Sequence, residues 1–146
     1  MESQTGIAAV GHVIQLSLSP VFLLLGIGSM LSVMTNRLAR IVDRARASEA
    51  HFKDVAPEEV GFHTDHLSTL SIRAKLINRA ITFCTFTALL ICAVVAMMFL
   101  SAFLEFDASL VVALLFVMAM GSFFTGLVFF LREIFIATAA LRIGPK

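Results

Sequence analysis

The stretch NRLARIVDRARASEA, residues Asn36 to Ala50, decides how this chain is organised. It follows an apolar run from Val10 to Thr35, and no Gly or Pro lies between Met30 and Ala50. A single helix can therefore leave a lipid bilayer and continue into water as a basic stalk. The stretch predicts a membrane-spanning helix with a polar extension.

The composition of the whole chain agrees with this prediction. Hydrophobic residues make up 59% of the 146 residues, charged residues 14%, and the mean hydropathy is +0.95. These values are typical of an integral membrane protein. The length allows three spanning helices and one modest hydrophilic segment, but no separate catalytic domain of ordinary size.

Three apolar segments are long enough to cross about 30 Å of hydrocarbon. None shows the two-residue alternation of a membrane β-strand, so each is predicted to be helical. We therefore predict an all-α membrane protein with an external tail (1–9), a first transmembrane helix (10–35), a cytoplasmic antiparallel helical hairpin (36–79), a second transmembrane helix (80–104), an external turn (105–107), a third transmembrane helix (108–131) and a cytoplasmic tail (132–146).

The distribution of basic residues predicts the orientation. Eight of the eleven Lys and Arg residues lie in segment 36–79, whereas segments 1–9 and 105–107 contain none. Because cytoplasmic loops are enriched in Lys and Arg, we expect the N terminus outside and the C terminus in the cytoplasm.

Two apolar strips predict that the hairpin arms pack on each other, and the return arm is expected to begin near Thr64 or Asp65. The strips recur at steps of three and four and comprise Leu38, Ile41, Val42, Ala45 and Phe52 on one arm, and Leu67, Leu70, Ala74, Ile77 and Ile81 on the other.

The stalk also carries a basic ridge, which we define as Arg37, Arg40 and Arg44. This ridge is either a solvated face or a surface for anionic lipid headgroups, each basic residue contributing about 1 kcal/mol. Four further charged residues lie near the predicted inner boundary and are expected to form inter-helix ion pairs: Asp43, Arg79, Arg132 and Glu133.

No Asp, Glu, Lys or Arg lies within the three apolar segments, which argues against ion-coupled transporters and voltage sensors. The first segment instead has a polar and small stripe that begins at His12. Its candidate pore-lining or gating residues are Gln15, Ser19, Phe22, Gly26, Ser29, Met30 and Val33.

The alternative for this stripe is helix packing, the commonest use of small and hydroxyl residues in membranes. The other spans show similar small-residue faces, which we interpret as packing surfaces: Ala88, Cys92 and Ala96 on the second span, and Ala119, Ser122 and Gly126 on the third.

Three histidines, His51, His63 and His66, lie in the hairpin. Their spacing is too common in solvated loops to predict a metal site, and a pH-sensitive tip is equally compatible with it. We expect no metal, no other cofactor, no nucleic-acid partner and no enzymatic activity, because no nucleophile and base pair is evident.

Five motifs are spread over nearly the whole chain: SPVFLL (19–24), followed by Gly26, NRLARIVDRAR (36–46), LINRAI (76–81), LREIF (131–135) and LRI (141–143). Through these motifs the chain resembles a family of uncharacterised bacterial membrane proteins, domain of unknown function 2721. The resemblance implies a small inner-membrane protein of bacteria with three spans and no assigned activity. It supplies no catalytic residues.

Two hypotheses for function follow. In the first, several copies form a homo-oligomer in which the first helices line an ion-conducting pathway with the basic ridge at its inner mouth. In the second, the protein is a non-conducting membrane scaffold that binds anionic lipid or a protein partner through its basic stalk. A pathway requires the stripe to be wet, whereas a scaffold requires it to be packed.

Overall fold

The chain is all-helical in a computed structural model, which describes the backbone of residues 2–52, 60–104 and 106–141 and the side chains of residues 10–50, 68–104 and 106–139. Three helices occupy these ranges, and the ranges contain no strand. Helix α1 is Glu2–Phe52, helix α2 is Val60–Leu104 and helix α3 is Ser109–Leu141.

Each helix contains a segment that is long and apolar enough to cross a membrane, which confirms the three predicted membrane helices. The segments are Val10–Ala50, Ser68–Leu104 and Ser109–Ala139. Both α1 and α2 extend well beyond their apolar runs, as the stalk predicted. The expected start of the return arm at Thr64 or Asp65 is wrong, because α2 begins at Val60, after Pro57 and two acidic residues that suit a helix N terminus.

The buried face of every helix repeats at seven residues, the spacing of helices that pack as coiled coils. On α1 the buried positions include Pro20, Ile27, Met34 and Ile41, each seven residues from the next. The buried face of α2 alternates steps of three and four through Ile77, Ala80, Cys84, Thr87, Ile91 and Val94, and that of α3 contains Ala119, Gly126 and Glu133.

The chain divides into two compact units, and unit 1 comprises Met1–Met30 and Phe83–Phe124. One hydroxyl group joins two helices on its buried face: Ser122 Oγ on α3 donates to the carbonyl oxygen of Phe83 on α2 at 3.0 Å, and Thr87 Oγ1, also on α2, donates to the same oxygen at 2.8 Å. The predicted packing face of α3 is thus confirmed.

The packing face predicted for α2 is wrong. Cys92 and Ala96 are exposed and Ala88 is half-buried, whereas Thr87 and Ile91 are fully buried. The buried face repeats every 3.5 residues on average, so residues spaced four apart turn progressively away from it. The small residues at that spacing therefore lie to one side of the packed face of α2.

Unit 2 comprises Leu31–Thr82 and Thr125–Lys146. Ile41 on α1 and Leu70 and Ile77 on α2 are buried in it, as the two apolar strips of the hairpin predicted. Two members of those strips, Phe52 and Leu67, lie outside the side chains that the structure describes.

A short connection joins α2 to α3 in unit 1. Asp107 caps α3 by accepting a hydrogen bond from the backbone N–H of Ser109 at 2.9 Å, and Ser101 Oγ donates to the carbonyl oxygen of Phe106 at 2.6 Å. Hydrogen bonds from the side chain and backbone of Ser109 lower the pKa of Asp107.

Candidate functional site

The one fully buried carboxylate among the described side chains belongs to Glu133 in unit 2. Arg73 donates to its Oε1 from both Nε, at 3.1 Å, and Nη2, at 2.9 Å. Arg37 Nη1 lies 3.5 Å from its Oε2. We call Arg37, Arg73 and Glu133 the ion-pair cluster; it joins all three helices with two positive charges and one negative charge.

Arg73 is the member of the cluster that sequence reasoning missed. It lies three residues after Leu70 and four before Ile77, and so occupies a position in the buried repeat of α2. Glu133 occupies the equivalent repeat on α3, seven residues after Gly126. Opposite charges in the buried repeats of two helices are the signal that could have identified this pair, because a buried charge requires a partner.

Arg37 is bound less completely than Arg73. Its guanidinium carbon lies 5.5 Å from the centre of the Phe130 ring, a cation–π contact, and its side chain is 27% exposed. No hydrogen bond joins Arg37 to the described part of the chain, and Glu133 Oε2 is buried without a hydrogen-bond partner there. The ion pair of Arg37 is therefore looser than that of Arg73.

Of the four residues expected to form ion pairs, the structure places Glu133 in one, with Arg37 and Arg73 as its partners. The side chains of Asp43, Arg79 and Arg132 are exposed and take no part in the salt bridges among the described residues. Distance from the predicted inner boundary correctly predicts that Glu133 forms ion pairs, but it does not determine which side chains face inward. Arg132, the next residue on the same helix, lies about 100° around the axis from Glu133 and is exposed.

The basic ridge is divided by its surroundings. Arg37 turns towards Glu133 and Phe130, whereas Arg40 and Arg44 are exposed. The ridge therefore has two exposed arginines, Arg40 and Arg44, and a third, Arg37, that contacts Glu133 and Phe130.

The stripe on α1 points away from the packed face of its own chain. Phe22 is 67% exposed and Val33 is 47% exposed, while Met30 is half-buried. The remaining candidate pore-lining residues, which lie in unit 1, are all exposed, and we call them the polar face of α1: Gln15, Ser19, Gly26 and Ser29.

Contacts within the chain leave this polar face open. No hydrogen bond joins the side chains of Gln15, Ser19 or Ser29 to the described part of the chain. A Cβ atom added at Gly26 would meet nothing within 4 Å. By contrast, Ser17 on the opposite side is buried and donates to the carbonyl oxygen of Ile14 at 2.8 Å.

Metal ligation has no support in the part of the chain whose side chains are described, where no group of three or more His, Cys, Asp or Glu residues is placed to hold an ion. His51, His63 and His66 lie outside that part, so the pH-sensitive tip stays a prediction.

Comparison with known families adds one finding. The family described as "Protein of unknown function (DUF2721)" matches residues 17–143, which is most of the chain. The chain belongs to this family. The match confirms the resemblance read from the sequence motifs, and it includes the whole ion-pair cluster of this DUF2721 protein.

No curated protein and no solved structure matches the chain. The family description assigns no activity, so a function for this DUF2721 member must be argued from its own residues.

Proposed function

We propose that this DUF2721 protein is a homo-oligomeric membrane protein in which the polar face of α1 meets other copies. The observation that carries the proposal is the exposure of Gln15, Ser19 and Ser29 without hydrogen-bond partners in the described part of their own chain. Polar groups left unbonded in hydrocarbon each cost several kcal/mol. Water or a second copy of the chain removes that cost.

The first candidate activity is ion conduction along the polar face. Hydroxyl and amide groups are suited to line a wet path, and the exposed Phe22 is suited to gate it by excluding water. The basic ridge follows the polar face in the sequence, and in this candidate it sets the field at the inner mouth.

The second candidate is a non-conducting scaffold assembled through the same face. Open space beside Gly26 and Gly28 favours it, because helices of neighbouring copies approach closely where side chains are small. Neither candidate assigns a catalytic activity to the protein.

Disulfide cross-linking between copies tests the assembly. In a background with Cys84→Ala and Cys92→Ala, we expect Ser19→Cys and Ser29→Cys to give cross-linked species in membranes. Val117→Cys is the matched control, because Val117 is 67% exposed on α3 and should face lipid. Equal cross-linking at all three positions, or none at Ser19 and Ser29, would contradict the proposed interface.

Liposome flux of purified protein separates the two activities. We expect Phe22→Ser to increase ion flux, since it makes the most exposed apolar position of the proposed path polar, and Met30→Ser to do so to a lesser extent, since Met30 is half-buried. Phe124→Ser is the control, because Phe124 is 70% exposed on α3. Silence of the native protein and of both α1 variants, together with positive cross-linking, would establish the scaffold instead.

The orientation in the bacterial inner membrane also belongs to the proposal, with the N terminus outside and the hairpin in the cytoplasm. It rests on the eight Lys and Arg residues between the first two spans. Labelling of Lys53→Cys by a membrane-impermeant thiol reagent tests it. Reaction from the outer side would overturn this orientation.

A further inference from the structure

The ion-pair cluster has a surplus positive charge. Arg73 donates two hydrogen bonds to one oxygen of Glu133, so the charges of these two residues balance. Arg37 is the second cation on the same carboxylate, at a distance too long for a hydrogen bond. One guanidinium charge in the cluster is therefore not balanced by a hydrogen-bonded anion among the described side chains.

Arg37 is held in place, but its N–H donors make no hydrogen bond to the described part of the chain. Glu133 lies behind it and the Phe130 ring lies against it, which restricts the guanidinium. A guanidinium carries five N–H donors in a rigid fork that matches the oxygens of phosphate. None of these donors makes a hydrogen bond to the described part of the chain, and 27% of the side chain is exposed.

Two exposed arginines extend this feature along α1. Arg40 and Arg44 lie three and seven residues after Arg37, on the same side of the helix. Arg37 follows the end of the apolar run by two residues, which is the depth at which a bilayer presents its headgroups. Positive charge in excess at that depth is complementary to an anionic headgroup.

We propose that Arg37, Arg40 and Arg44 bind the phosphate of an anionic phospholipid, and that Glu133 is the positioning residue for Arg37. The inference goes beyond the proposed assembly and does not depend on it, because all four residues belong to unit 2 of a single chain. Arg37 supplies the fork that contacts the phosphate, and the two exposed arginines add charge around it.

Retention of phosphatidylglycerol by the full-length protein in detergent, measured by native mass spectrometry, tests the site. We expect Arg37→Gln to weaken retention about tenfold or more, because hydrogen bonds to a charged group are lost. Arg40→Gln should weaken it less, and it leaves Glu133 and its partners intact. Arg79→Gln is the matched control, an exposed arginine of unit 2 on another helix, and should leave retention nearly unchanged.

Arg37→Lys distinguishes a built site from a general attraction of charge. It keeps the positive charge but loses the fork, so we expect retention below that of the native protein and above that of Arg37→Gln. Equal losses in Arg40→Gln and Arg79→Gln, or full retention in Arg37→Lys, would show that only diffuse charge attracts the lipid and would overturn the proposal.

Two further arms identify the ligand and the role of Glu133. Phosphatidylcholine should be retained more weakly than phosphatidylglycerol, and millimolar inorganic phosphate should not displace the lipid. Displacement would assign the site to free phosphate and overturn the lipid proposal.

The role of Glu133 is tested in a Glu133→Gln background. In that background, proteins with Arg or Lys at position 37 should retain phosphatidylglycerol equally, since a guanidinium that Glu133 does not position has no advantage over an ammonium group. A persisting difference between them would remove Glu133 from the site.

Discussion

The two units of this protein bury polar groups of different kinds. In unit 1, hydroxyls of Thr87 and Ser122 meet one backbone carbonyl, and all three groups are neutral. In unit 2, Glu133 is fully buried against two arginines. The comparison shows that neutral hydroxyls suffice to join helices along an apolar stretch, whereas a charge is buried only where opposite charges on other helices accompany it.

The largest expected effect comes from breaking the charged contact of unit 2. Replacing Glu133 by Met leaves Arg73, whose side chain is only 14% exposed, without a counter-ion and should destabilise the protein by about 3–5 kcal/mol. The thiol of Cys84 reports unfolding in a Cys92→Ala background, because Cys84 is fully buried and the chain has no Trp or Tyr for fluorescence. Unfolding is then followed by labelling of Cys84 with a thiol-reactive dye during heating in detergent.

A double variant sharpens this result. Arg73→Met with Glu133→Met removes both charges and should recover most of the stability that Glu133→Met loses, since an apolar pair of similar volume replaces a buried ion pair at little cost. Arg132→Met is the control, because it removes a charge from the exposed position next to Glu133 and should change the stability little. A double variant no more stable than Glu133→Met alone would contradict the expected cost of leaving Arg73 without a counter-ion.

The next effect tests the close packing of unit 1. Ala119 is fully buried on α3, so Ala119→Leu should force neighbouring side chains apart and cost about 1–3 kcal/mol. Ala113 is exposed on the same helix, and Ala113→Leu should leave the unfolding temperature unchanged. The same Cys84 labelling assay measures both variants, and equal effects would place Ala119 outside the buried face.

A smaller loss is expected from the hydroxyl contacts of unit 1. Ser122→Ala removes the hydrogen bond from α3 to the Phe83 carbonyl on α2 and should cost about 0.6 kcal/mol, whereas Thr87→Val removes a bond within α2 and should cost less. Thr82→Val is the control, because the exposed Thr82 donates to the carbonyl of Asn78 within its own helix. Losses as large as that of Glu133→Met would remove the distinction between the neutral and charged contacts.

The smallest effect concerns the cap of α3. The lowered pKa of Asp107 means that its ionised form is favoured in the folded protein, so its contribution to stability is present at neutral pH. That contribution is lost as the pH falls below the ordinary range of an aspartate and through the lowered pKa. Asp107→Asn should flatten the acid limb of a stability–pH curve measured with Cys84, and an unchanged acid limb would contradict the capping role.

The number and type of the helices followed directly from the sequence, because long apolar runs in a bilayer have no alternative to the helix. The sequence predicts the stripe of α1 as one face, and in the structure its side chains are exposed except for the half-buried Met30. The partners of Glu133 were not predicted, because depth along a helix does not determine which side faces inward. The position of Arg73 in the seven-residue repeat of α2 indicates that it faces inward. The prediction for α2 followed small residues at steps of four instead, and so did not identify Arg73.

The connection between α2 and α3 bears on how the protein enters its membrane. Leu104 ends one helix and Ser109 begins the next, with Asp107 closing the turn by its hydrogen bond to Ser109. These two helices can be integrated together as a hairpin, whichever way the chain faces. Only two charged side chains, the acidic Glu105 and Asp107, lie between these helices in the sequence, so few charges have to cross the lipid when the two helices insert together.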